Sequence, residues 1–125
     1  MSDWTANELE KIGTADELQV ASLRPDGSLR PYTTIWVVRV GDDLYVRSYR
    51  GRNGGWFRHV LERHEGHIRA GGVDRYVGFA EPEDADHDAI DRAYRSKYAR
   101  YSRAYVDPMV SPDATAATLR LIARR

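Results

Sequence analysis

The segment from Arg47 to Arg58 reads Arg-Ser-Tyr-Arg-Gly-Arg-Asn-Gly-Gly-Trp-Phe-Arg and concentrates residue types suited to holding an anion. Guanidinium groups at Arg47, Arg50, Arg52 and Arg58 offer bidentate hydrogen bonds to phosphate oxygens. Gly51, Gly54 and Gly55 carry no side chain to keep a ligand off the backbone. A helix starting near Trp56 would turn free N–H groups toward bound negative charge. The chemistry this predicts is recognition of a phosphate or a similar anion. The plain alternative is solvated charge on an arginine-rich chain whose only lysines are Lys11 and Lys97, beside a glycine loop that merely turns. Thr33, Thr34 and Ser48 add hydroxyls that could hydrogen-bond the edge of a ring. Trp36 and Trp56 are flat apolar surfaces on which a ring could stack, although aromatics in strands and helices more often belong to a core.

Other chemistries have less support. Tyr94, Tyr98, Tyr101 and Tyr105 recur at helical spacing. Tyr98 and Tyr101 are candidates to shape a substrate pocket, and the same stripe would serve equally as the buried side of a helix or a dimer contact. His59, His64 and His67 lack zinc-site spacing, and the acidic run around His87 reads as a helix N-terminus, so no metal is expected. No serine or histidine sits in a nucleophile-elbow pattern. Formal net charge is zero, which argues against nucleic-acid binding by bulk electrostatics. No run approaches a membrane span or a signal sequence, and cysteine is absent. A cytoplasmic protein without disulfides or thiolate metal sites is the expectation.

The elements that must position these residues follow from pattern. The 125 residues suffice for one core, hence one domain over 1–125. Thr5-Ala-Asn-Glu8 predicts a capping box opening a helix over 5–13, ending at Gly13. Strands are expected within 18–79. Leu18–Leu23 leads through a Pro25-Asp26-Gly27 turn into a long strand from Leu29 to Val40, and Gly41-Asp42-Asp43 makes a hairpin with Leu44–Ser48. A helix over 55–63 places Trp56, Phe57, Val60 and Leu61 on one side, and two further strands meet near Gly71-Gly72. A tyrosine-rich helix is expected over 84–105, then a short helix opened by Ser111-Pro112, then a closing strand over 118–123. Alternation puts Thr34, Trp36 and Val38 on one face and Thr33, Ile35 and Val37 on the other, with the inner face undecided. The fold class is α+β, a small antiparallel split β-barrel with flanking helices.

This order of parts resembles the bacterial DUF2255 family over almost the whole chain. The residues carrying the likeness are Trp4, Leu9, Ile12-Gly13, Glu17-Leu18, Arg30-Pro31-Tyr32, Thr34 to Val38, Leu44 to Ser48, Gly54 to Arg58 and Ile68 to Gly72. The sequence of strand, turn, Leu-Tyr-Val-Arg-Ser, glycine loop and Trp-Phe helix is similar to flavin-binding split barrels. These include the pyridoxamine-phosphate-oxidase-like proteins and the deazaflavin-dependent nitroreductases. That resemblance implies an oxidoreductase acting on a small molecule, with FMN or a deazaflavin as cofactor, and the tyrosine face adds the expectation of a homodimer. Arg47, Arg50, Arg52, Gly54, Gly55 and Arg58 would hold the phosphate side, and Ser48 would belong to the cofactor site through the ring edge. Thr34, Trp36 and Trp56 would meet the ring. The chain departs from the flavin pattern in having no lysine near the loop, and a non-enzymatic small-ligand binder on the same barrel is the alternative.

Overall fold

A computed structural model describes residues 3–124. Seven antiparallel strands form one curled sheet in the order β2-β1-β5-β6-β7-β4-β3. They are β1 Leu18–Ser22, β2 Thr33–Ile35, β3 Val38–Val40, β4 Asp43–Arg47, β5 Glu65–Ala70, β6 Val73–Ala80 and β7 Thr118–Ala123. Five helices flank this half-barrel: α1 Ala6–Thr14, α2 Gly55–Arg63, α3 His87–Lys97, α4 Arg103–Val106 and α5 Pro112–Thr115. Local chemistry explains several boundaries. Thr5 and Glu8 close a reciprocal capping box at the start of α1. Gly71 and Gly72, both at positive φ, make the tight β5–β6 turn, where a Cβ on Gly71 would also strike the Lys11 carbonyl.

Two expected elements are each broken in two. The long strand from Leu29 to Val40 is interrupted at Trp36-Val37, and its halves become opposite edges of the sheet. β2 pairs with β1, and β3 pairs with β4. The break is held by side chains from far along the chain. The Val37 N–H donates to the Tyr98 hydroxyl at 3.2 Å, and the Val37 carbonyl accepts from Lys97 Nζ at 2.6 Å and from the Tyr98 hydroxyl at 3.1 Å. Backbone groups that leave a sheet must find partners elsewhere, and these do. The expected helix over 84–105 likewise ends at Lys97, and Ser102 caps a separate short helix, α4.

The break also decides the inner face. Val37, Leu44, Val46, Leu119 and Leu121 join Leu18, Val20, Ile68 and Phe79 in the barrel interior, with Ile12 of α1 and Phe57 of α2 packed on it. Thr33 and Ile35 lie on the same side, paired with Val20 and Leu18. Trp36, Val38 and Tyr45 point outward into a second apolar cluster under α3, with Ile90, Tyr94 and Tyr98. Among the described residues, no helix is long and apolar enough to cross a membrane.

Candidate functional site

A cavity of about 500 Å³ lies where β2, the end of β4, α2 and the α4 region meet. Thr33, Thr34, Ile35, Trp36, Arg47, Tyr49, Trp56, Tyr105 and Met109 are in its wall. No carboxylate, histidine or lysine lines it among the described residues. A second cavity of about 300 Å³ shares Thr33 and Trp56 with the first and adds Ser22, Arg30, Gly55 and His59. Trp36 is held by stacking on Tyr98, with ring centres 3.9 Å apart and planes within 4°. Trp56 is set by α2, whose first turn packs Phe57 into the barrel.

Thr34, Trp36, Arg47 and Trp56 are thus brought together at the larger cavity, while Gly55 lies at the smaller one. The expected phosphate arginines are dispersed rather than gathered on one side of the loop. Arg47 alternates with Val46 and so points out of the barrel, under α3, where it is fully buried. Its Nε donates to Thr118 Oγ1 at 2.9 Å, and Nη1 donates to Asp91 at 2.5 Å and to the Met109 carbonyl at 3.0 Å. His87 Nδ1 lies 3.2 Å from Nη2; because a guanidinium only donates, Nδ1 accepts and the ring proton sits on Nε2. Arg52 is likewise committed, to Glu81 at 2.5 Å and to the Ala116 carbonyl at 3.0 Å. Its guanidinium holds the Glu81 carboxyl below the usual carboxylate range.

Arg50 is exposed and donates to the hydroxyl of Tyr49. Arg58 is exposed, with no ion pair among the described residues, and borders neither cavity. Ser48 and Gly54 are buried against one another: a Cβ on Gly54 would lie 2.3 Å from Ser48 Oγ, so a side chain there would have to displace the serine hydroxyl. Tyr98 does not line either cavity. It is buried, and its single hydroxyl proton is shared between the Asp16 carbonyl at 2.8 Å and the Val37 carbonyl at 3.1 Å. Tyr101 lies half-exposed against Trp36 at 5.3 Å, and it is Tyr105 that reaches the larger cavity. Tyr94 and Tyr98 are packed inside the same chain, whereas Tyr101 and Tyr105 remain exposed.

Arg30 is the residue that reasoning from the loop missed. Its Nη2 pairs with Glu62 at 3.0 Å, but its Nε is buried without a hydrogen-bond partner among the described residues. It reaches the smaller cavity beside Gly55, where α2 begins with no side chain capping its N-terminal N–H groups. The rigid Arg30-Pro31 dipeptide is the one local signal in the sequence, because proline restricts the residue before it to extended backbone. Among the described residues, no group of histidines and carboxylates could hold a metal ion.

Solved structures with this fold include a conserved hypothetical protein from Mycobacterium tuberculosis, 17% identical, with TM-score 0.59 over 100% of this chain and 82% of that one. The heme storage protein HutZ from Vibrio cholerae is 11% identical, with TM-score 0.60 over 96% and 90%. An F420 reductase is 14% identical, with TM-score 0.54 over 93% and 90%. At these identities the likeness establishes the split-barrel fold alone. No curated protein sequence matches the chain. The family described as "Uncharacterized protein conserved in bacteria (DUF2255)" matches residues 8–121, and the chain belongs to it.

Proposed function

We propose that the protein binds a flat, phosphate-bearing cofactor of the flavin or deazaflavin type and serves as an oxidoreductase on a small molecule. One observation carries this reading: an apolar cavity walled by two indoles adjoins, across Thr33 and Trp56, a smaller cavity with a buried, unpartnered arginine Nε. The volumes suit a small-molecule site. The residues present fit such a group in kind. Trp36 and Trp56 offer faces to a ring and keep water from it. Arg30 and the uncapped N–H groups at the start of α2 suit a phosphate, where charge and helix dipole act together. The arginine contact in this reading is Arg30, with Arg47 and Arg52 supporting the walls. A bound flavin-type ring would supply hydride or electron transfer, and the protein would contribute position, polarity and exclusion of solvent. The fold likeness to an F420 reductase is in keeping with this.

A second reading, a non-enzymatic binder, is favoured by the lack of any carboxylate, histidine or lysine in the larger cavity. A homodimer remains part of the first reading, with exposed Tyr49 and Tyr105 at the cavity rim buried by the second copy. Sedimentation velocity on the wild type and on Tyr105→Ser tests that part. The deciding experiment is fluorescence titration with FMN, FAD and a deazaflavin, on wild type and Arg30→Ala. Saturable binding by one of them, weakened in the variant at unchanged melting temperature, is expected. Reduction of the bound cofactor and its reoxidation by an acceptor separates enzyme from binder. No binding by any of the three to folded protein overturns the reading.

A further inference from the structure

Four successive residues, Thr33, Thr34, Ile35 and Trp36, border the larger cavity. Neighbouring residues of a strand point to opposite faces, so a cavity touching all three residues of β2, Thr33 to Ile35, meets the strand edge-on and sees its main chain. β2 is the end strand of the sheet, with β1 on one side and no strand on the other. The direction of its hydrogen-bonding groups follows from β1. Leu23 donates its N–H to the Glu65 carbonyl, whereas the Ser22 carbonyl accepts from Arg30 N–H on the opposite side. Odd-numbered residues of β1 therefore serve β5, and even-numbered ones serve β2. Leu18 and Val20 exchange hydrogen bonds with their partners Ile35 and Thr33. Thr34, opposite Gln19, turns its N–H and C=O away from β1, toward the free edge.

From this parity we infer that the cavity selects its ligand through the main chain of Thr34, and that the ligand's ring carries a lactam or imide edge. The ring N–H donates to the Thr34 carbonyl, and the ring C=O accepts from the Thr34 N–H. In a cavity whose wall is mostly apolar, an edge pair left unmatched is costly, so a ring lacking the complementary pair is discriminated against. The inference deepens the proposed cofactor site and rests on that reading for the location of the ring, but the ring edge is tested independently of the phosphate tail.

FMN and lumazine, a phosphate-free imide ring, are titrated beside their N3-methylated forms against wild type, Thr34→Val and Thr34→Pro. Each N3-methyl form is expected to bind roughly tenfold more weakly than its parent. Thr34→Val, which keeps the main chain, retains affinity within about twofold, as expected where a backbone contact carries the binding. Thr34→Pro loses affinity roughly tenfold because it lacks the N–H, and proline is tolerated on an edge strand where the missing donor faces outward. Equal binding of parent and N3-methyl forms overturns the inference, as does a loss in Thr34→Val matching that in Thr34→Pro. Should Thr34→Pro fail to fold, the methylated pairs alone decide. Lumazine binding without FMN binding would sink the flavin reading and leave this one standing. Tight FMN binding indifferent to N3-methylation would do the reverse, and no binding by either sinks both.

Discussion

Two cationic regions flank the cavity, and they differ in what their charge is for. Under α3, Arg47 is surrounded: a carboxylate, a hydroxyl, a carbonyl and an imidazole nitrogen take up its guanidinium, and the Tyr94 ring lies 5.6 Å away. At the start of α2, Arg30 has one carboxylate partner at the surface and a buried Nε with no hydrogen-bond partner among the described residues. The first arrangement ties β4 to α3, β7 and the α4–α5 region. The second leaves a buried donor in an arginine that borders a cavity. A buried charge with its partners made is architecture, whereas an incompletely partnered cation bordering a cavity is a candidate ligand contact.

The comparison breaks most directly at Arg47. Replacing it with methionine strands Asp91, Thr118 and the Met109 carbonyl, and removal of one member of such a buried pair costs about 3–5 kcal/mol. Chemical denaturation should show that loss, and an unchanged stability would mean the network is not structural. Next in size, Tyr98→Phe removes the hydroxyl shared by Val37 and Asp16 and should cost about 1–3 kcal/mol, with faster amide exchange at Val37 as its local signature. Arg30→Ala sharpens the contrast. Its ion pair with Glu62 is partly exposed, so stability should change by less than ~1 kcal/mol. Phosphate-bearing ligands should nonetheless bind roughly tenfold more weakly. Equal stability losses at Arg30 and Arg47 would erase the distinction drawn here.

The last test concerns pH. Burial lowers the Lys97 ammonium from the usual lysine value of 10.5 to about 8, with Asp16 opposing the shift and Arg100 adding to it. A lysine whose folded pKa lies below its unfolded one binds fewer protons when folded, so stability rises with pH between the two values. Melting temperature should therefore climb gently from about pH 8 toward pH 10.5 at this site. Lys97→Met should remove that rise, and an unaltered slope in the variant would exclude Lys97 as its source.

Much of the fold was legible because its signals are local. The Thr5–Glu8 box, the Gly71-Gly72 turn and the Ser111-Pro112 helix start each depend on residues a few positions apart. The break at Trp36-Val37 was hidden, since β-branched and aromatic residues run through it without a glycine or proline. What stops the strand is a tyrosine hydroxyl and a lysine amine 60 residues away or more. The end of α3 was hidden for a related reason: Lys97 to Arg103 contains neither breaker, and the tyrosine spacing continues past it. At the site, Trp36, Trp56 and Thr34 could be singled out by type, but the choice of arginine could not be made from the sequence.

By itself the sequence determined the element types, their order, most of the caps and turns, and the residues fit to meet a ring or an anion. Those follow from backbone conformations and short-range hydrogen bonds, which act within a few residues. Only the tertiary structure decided that β2 and β3 part to opposite edges, that Trp36 faces α3, and that Arg47 is buried while Arg30 keeps a free nitrogen. A guanidinium's role depends on which acceptors reach it first, and those acceptors come from distant parts of the chain that only folding brings near.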